Sequence, residues 1–260
     1  MATTAQIIGG YVGQASIKFE DVVAKNKNGK KPKDQKDIWG ERKTKSKTDV
    51  LNSEYNYSVK NPESSSQSTQ IQVCTVERFC KLFNVTGELK VKFDQFFGNN
   101  PEFFKGPKYK QLFENHCRNV WNIDPSTLDP QKEVRRNRLL FSSIQNNKEL
   151  LDWFQNNIQS VLKFVFKTSF NDPKNTDLIA NRILWVKEKN NYDSRVEIDI
   201  DSLIKSIVSK SRVSIRDHKK HGQSVIEIGP VTLQMKGSGT GKAYHHMQFN
   251  ASLNDILKFK

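Results

Sequence analysis

The sequence predicts an α/β chain of α+β character, in which a central mixed β-sheet is flanked by helices. Three observations carry that expectation. Short runs with strand alternation lie before residue 75, a Phe-rich stretch of helical period fills about residues 88–170, and alternation returns from Asn181 onward. A length of 260 residues fits one large domain or two small ones, and 35% hydrophobic residues suffice for a core.

Met1 to Gln14 has neither a basic leader nor a long apolar run, and no window approaches a membrane span, so a cytoplasmic protein is expected. Ala15 to Lys25 then spaces Ile17, Val22 and Val23 as a short amphipathic helix does, carrying Glu20 and Asp21. Between Lys25 and Lys47 stand ten Lys or Arg against three acids, around the turn-rich loop Asn26 to Lys33. Such a run serves either as a solvated segment or as a phosphate-contacting one.

Lys47 to Lys60 reads as two short strands around a polar turn. With a loop of Ser53-Glu54, or the wider Asn52 to Tyr55, the antiparallel register sets Asp49 opposite Ser58 and Lys60 on the same face. Opposed residues are roughly 4.5–5.5 Å apart at Cβ, so a carboxylate, a hydroxyl and an ammonium converge. Such a patch can hold a hydrated divalent cation beside a phosphate. An odd-length loop would send Asp49 to the opposite face. The alternative is a solvated hairpin with a surface ion pair.

Gln70 to Cys74 alternates as a half-buried strand, leaving Gln70, Gln72 and Cys74 on one face, and Gln amides read base edges as well as cap sheets. Thr75 is placed to N-cap a helix over Val76 to Phe83. In the middle, Leu112, Phe113, Cys117, Val120 and Trp121 keep helical spacing, as do Leu139, Leu140 and Ile144, and then Leu150 through Val165; these are assigned to packing. Arg135, Arg136 and Arg138 face either nucleic acid or solvent. The later strands are expected at Arg182–Lys187, Arg195–Ile200, Ser211–Arg216, Ser224–Ile228, Val231–Lys236 and His245–Phe249, with a helix over Ser202–Ser209 and a closing meander.

Lys+Arg 42 against Asp+Glu 28 gives a net charge of +14, which favours a polyanionic partner, nucleic acid above all. Cys74, Cys80 and Cys117 are odd in number and lack C-x-x-C spacing, so neither a disulfide framework nor a zinc site is expected. Gly237 to Lys242 fails the Walker pattern, having Lys236 where Gly is needed and Ala243 where Ser or Thr is needed. Flanked by Lys236 and Lys242, that loop still suits close approach to a nucleic-acid backbone. His245-His246 alternate across a strand and do not face one metal.

Asp49-x8-Ser58-x-Lys60 resembles the active-site hairpin of the PD-(D/E)XK nuclease superfamily. Ile228 to Gly237, with Met247-Gln248-Phe249, resembles the C-terminal part of GCGC-cutting Type II restriction endonucleases, strongly over about thirty residues. The resemblance implies a single nuclease-like domain: a catalytic α/β part at 1–87, a helical part at 88–180 and a β-rich, DNA-contacting part at 181–260. It implies a cytoplasmic restriction–modification enzyme that hydrolyses double-stranded DNA with Mg2+ at a short, four-base-pair site. Asp49 would be the principal metal ligand, the Val59 carbonyl a second, and Glu20 a further carboxylate. Ser58 would orient water and Lys60 the nucleophile. Ser58 departs from the superfamily's acidic or amide residue.

Candidates for DNA contact are Gln70, Gln72, Gln234, Lys236, Lys242, Lys219 and Lys220. A second spacing, Asp217-x16-Gln234-x-Lys236, is a rival centre in a basic turn. Other readings are a non-catalytic nucleic-acid-binding protein and a repair or mobile-element nuclease. Monomer and homodimer are both compatible with the sequence.

Overall fold

The computed structural model describes residues 18–33, 35–97, 106–127, 148–216, 225–235 and 246–260. Helix α1 (18–26) leads into the short strands β1 (Gln35–Lys36), β2 (Lys43–Thr44) and β3 (Val50–Leu51). Strands β4 (Asn56–Lys60) and β5 (Thr69–Thr75) follow, then helices α2 (Val76–Leu82), α3 (Gly87–Phe96) and α4 (Pro107–His116). Helix α5 (Lys148–Asn156) precedes α6 (Ile158–Lys163), which runs into a π-helical turn, Phe164–Thr168. Strands β6 (Arg182–Val186) and β7 (Arg195–Asp199) lead to α7 (Ile200–Lys210), and β8 (Val213–Arg216), β9 (Val225–Ile228), β10 (Val231–Met235), β11 (His246–Ala251) and α8 (Leu253–Leu257) complete the chain.

Local chemistry accounts for the boundaries. Thr75 caps α2 as expected, its hydroxyl accepting from the Arg78 N–H at 3.2 Å. Asp199 does the same for α7, accepting from Ser202 N–H at 2.7 Å, with Asp201 in the first turn and Lys210 in the last. In α1 the buried face is Phe19 and Val23, four residues apart. Val22, expected on that face, is 43% exposed because it lies about a third of a turn away from Val23.

The fold is mixed α+β with several sheets. It divides into two compact units, one drawn from residues up to 72, 158–211 and 250–260, the other from 73–157 and 212–249. The partition is interleaved: each of the sequential parts 1–87, 88–180 and 181–260 contributes to both units.

The first unit holds a four-stranded sheet of order β3-β4-β6-β7. Its pairs are antiparallel, parallel and antiparallel, so it is the mixed sheet the sequence leads one to expect. Asn56 fixes the start of the parallel pair: its N–H donates to Asn181 Oδ1 at 2.9 Å, and its carbonyl accepts from Asn181 N–H at 2.9 Å. Helix α1 covers one face, Phe19 and Val23 packing with Val50, Tyr57, Leu184 and Val186. These aliphatic and aromatic side chains are withdrawn from water, which supplies the main stabilisation of the sheet.

The second unit holds the meander. The sheet order is β5-β11-β10-β9-β8, the unit boundary falling within β5 and β11. The late strands thus do not extend the mixed sheet: after β7 the chain leaves through an 11-residue helix, and β8, β9 and β10, close in sequence, pair antiparallel with one another at smaller loop-closure cost. The phenylalanines pack as the helical spacing implies. Phe79, Phe93, Phe154 and Phe249 are wholly buried, and the Phe79 ring lies 5.8 Å from Phe93 and 6.0 Å from Phe249, tilted.

Candidate functional site

The hairpin of β3 and β4 pairs Val50 with Tyr57 and Leu51 with Asn56. The turn is the wider one, Asn52 to Tyr55. Asn52 explains how it closes around Ser53-Glu54, for its Oδ1 accepts from the N–H groups of Glu54 at 2.9 Å and Tyr55 at 2.7 Å. This register carries Asp49 opposite Ser58. Asp49 lies one residue past the Val50–Tyr57 pair; its N–H still donates to the Tyr57 carbonyl at 2.8 Å, and its side chain extends the contact, Oδ2 accepting from Val59 N–H at 2.7 Å and from Ser58 Oγ at 3.4 Å. Lys60 Nζ donates to the Val59 carbonyl at 3.2 Å. Ser58 is buried, while Asp49 and Lys60 are partly open to solvent.

Glu20 reaches the same place from α1. Gly29, in the turn after the helix, makes this possible, because a Cβ there would lie 2.7 Å from the Leu51 carbonyl oxygen. The close approach lets Lys30 and Leu51 exchange backbone hydrogen bonds of 2.8 and 2.9 Å, which ties the helix to β3. The result is a cleft of about 180 Å³ whose walls include Glu20, Asp49, Lys31, Lys45, Ser46 and Thr48.

Charge in the cleft is finely opposed. Burial first, and then the Asp49 carboxylate, push the Glu20 carboxyl up to about 7, against Lys31, Lys60 and Lys45, which pull it down. The Asp49 charge thus disfavours ionisation of Glu20 within a small volume, and a bound cation would relieve that conflict. Lys31 sits 3.7 Å from Glu20 and 2.6 Å from Asp21. Thr48 Oγ1 is buried beside the cleft with no hydrogen-bond partner among the described residues.

The donor set is all oxygen. Among the described residues no three His, Cys, Asp or Glu side chains group closely enough to cage a metal. Asp49 and Glu20 are the cleft's carboxylates and could hold a cation through oxygen alone, a chemistry that suits Mg2+. Cys74, Cys80 and Cys117 form no disulfide and are buried, and burial pushes the Cys80 thiol up to about 12, which leaves no thiolate for chemistry there.

The remaining expected residues fall out differently. Gln70 is exposed on β5, and Gln234 is half-buried on β10 in the other unit. Gln72 has both ends of its amide committed inside the protein: Oε1 accepts from Lys47 Nζ at 3.2 Å and Nε2 donates to Ser169 Oγ at 2.9 Å. An amide so engaged does not present itself to a base edge. Lys236, Lys242, Lys219 and Lys220 lie outside the described residues, as do Asp217 of the rival centre and Arg135, Arg136 and Arg138.

Lys47 is the site residue that sequence reasoning missed. It is 6% exposed, and burial pushes its amine well below the ordinary lysine value, with Lys60 adding to that and Asp49 opposing it.

No helix among the described residues is long and apolar enough to cross a membrane. No protein-family model matches the chain, and no curated protein matches it. Among solved structures, that of restriction endonuclease MspI in complex with its cognate DNA is similar to it, with a TM-score of 0.40 and 14% identity over 86% of this chain and 69% of that one.

Proposed function

We propose that this chain is a metal-dependent endonuclease that hydrolyses phosphodiester bonds of double-stranded DNA at a short site, in the manner of a cytoplasmic Type II restriction enzyme. The observation that carries the reading is that Asp49 and Glu20 line one cleft, with the buried Ser58 hydroxyl donating to Asp49 and Lys60 close enough for its charge to act on Glu20. A net charge of +14 supplies the attraction for the polyanion.

Asp49 and Glu20, with the Val59 carbonyl, would hold Mg2+. When bound, that ion polarises the phosphate and lowers the pKa of an attacking water. The chain's own groups do the rest. Asp49 has its Oδ2 held by the Val59 N–H, which restrains the carboxylate and leaves its other oxygen for the cation. Lys60, tethered to the Val59 carbonyl, places an ammonium where phosphate charge grows and where a nucleophile is held. The Ser58 hydroxyl, already turned to Asp49, can orient a water between the two. Glu20 holds a proton at neutral pH more readily than an ordinary carboxylate and releases it when a cation replaces that charge.

Plasmid DNA incubated with the protein and Mg2+, with a chelator as control, tests this. Discrete bands that vanish with chelator are expected. A smear means a nuclease without site preference, and intact plasmid with a gel shift means a binder whose hairpin does no chemistry. A methyltransferase gene adjacent to the coding sequence would support the restriction reading.

A further inference from the structure

A ladder of two rungs does not by itself fix a carboxylate that stands beyond its end, so the segment leading into Asp49 needs other anchors. Its backbone has two, Asp49 N–H donating to Tyr57 O at 2.8 Å and Lys47 N–H donating to Leu178 O at 3.2 Å. A third is the Lys47 side chain. It turns inward, and its Nζ donates to the Ile71 carbonyl at 2.9 Å and to Gln72 Oε1 at 3.2 Å. Gln72 is held in turn by Ser169 Oγ at 2.9 Å. Ser169 adopts φ 51° and ψ −133°, a conformation costly for a residue with a Cβ, and its N–H donates to Phe164 O at 2.9 Å to close the π-helical turn.

Burying a lysine amine costs more than burying a methionine of similar length, and holding Ser169 at positive φ costs more again. Neither is needed to fill space. Both are explained if the chain Ser169, Gln72, Lys47 sets the position of the strand that delivers Asp49. The same chain accounts for an amide that was expected to read bases and is instead committed inside the protein. Lys47 also lies near enough to Asp49 and Lys60 for their charges to act on it.

We infer that Lys47 is a positioning residue for the Asp49 carboxylate, itself locked in place by Gln72 and Ser169. The inference rests on the nuclease reading, because the group being positioned is the one assigned to the metal. Lys47 touches no reacting atom. Its effect is on geometry, and it is felt after DNA has bound.

The test is steady-state cleavage by the full-length protein with Mg2+, with Lys47→Met, Gln72→Leu and Gln72→Glu compared to wild type and folding checked by circular dichroism. A displacement of about 1 Å at a reacting group costs on the order of 100-fold in rate. Lys47→Met and Gln72→Leu are therefore expected to lose roughly 10- to 100-fold in kcat with KM for DNA little changed. Gln72→Glu keeps the acceptor for Lys47 Nζ and meets Ser169 by reversing that bond, the hydroxyl then donating to the carboxylate, and is expected to recover most of the rate lost in Gln72→Leu. A base-reading Gln72 would behave oppositely, with KM rising in both variants and the added carboxylate making matters worse. That pattern overturns the inference, as does wild-type kcat in a folded Gln72→Leu protein. Absence of cleavage by the wild type is a separate result, which removes the nuclease reading and this inference with it.

Discussion

Replacing Glu20 by Gln removes a charge that the fold pays to bury. The carboxyl titrates near 7 in the folded protein against 4.5 as the ordinary value, and its side chain is 26% exposed. Between those two pH values the folded state binds more protons than the unfolded one, so stability falls as pH rises, by up to about 1.4 kcal/mol per pH unit. Above about pH 7 both states are ionised and the accumulated cost is about 3 kcal/mol. Below the ordinary value both are protonated and the cost is gone. Glu20→Gln is neutral throughout, so its stability minus that of wild type should be small at pH 4.5 and rise by about 3 kcal/mol at pH 8. The difference cancels groups common to the two proteins, including buried Lys47. Urea unfolding of both proteins at pH 4.5, 6 and 8, without divalent metal, gives the three differences directly. The same variant should lose cleavage, which makes Glu20 a residue kept at the expense of stability. Parallel pH–stability curves for the two proteins would refute the reasoning, since they would mean that Glu20 is not desolvated against Asp49.

Three further outcomes are expected. Lys60→Ala should abolish cleavage of plasmid while leaving the gel shift, and Lys236→Ala should retain cleavage; the reverse result moves the centre to the Asp217-Gln234-Lys236 spacing. Gly29→Ala puts a Cβ 2.7 Å from the Leu51 carbonyl oxygen and should destabilise by about 1–3 kcal/mol in thermal or urea unfolding, with loss of cleavage as α1 shifts from the cleft. Phe79→Ala, which empties the centre of the aromatic cluster, should cost about 3–5 kcal/mol in urea unfolding.

What could be read from the sequence was what depends on neighbours in the chain. Asp49 and Ser58 could be set opposite one another because a period of two and an even loop decide it, and the observed register has that pairing. Thr75 was legible as a cap because the hydroxyl and the amide it serves are three residues apart. The late strands were legible to within a residue or two for the same reason. Gln72 was not, since its partner Ser169 is 97 residues away and an amide at a strand position looks the same whether it faces a base or a serine. Nor was the depth of Lys47, which depends on β5 lying against it. Glu20 was placed on the right helix, yet its approach to Asp49 depends on Gly29 meeting Leu51, which no local pattern announces.

The parallel pairing of β4 with β6 has a consequence for how the protein comes to be made. Ser58 and Lys60 lie beside Ile183 and Trp185 in that pairing, and Asn56 reaches Asn181 across 125 residues. Contacts of such high sequence separation form late, because the loop they close must be paid for before they return anything. On a translating ribosome the β3–β4 hairpin emerges long before its neighbouring strand exists, and a two-rung hairpin by itself is not stable in water. The residues proposed for catalysis are therefore synthesised well before the strand that holds them, and are among the last to be held in place.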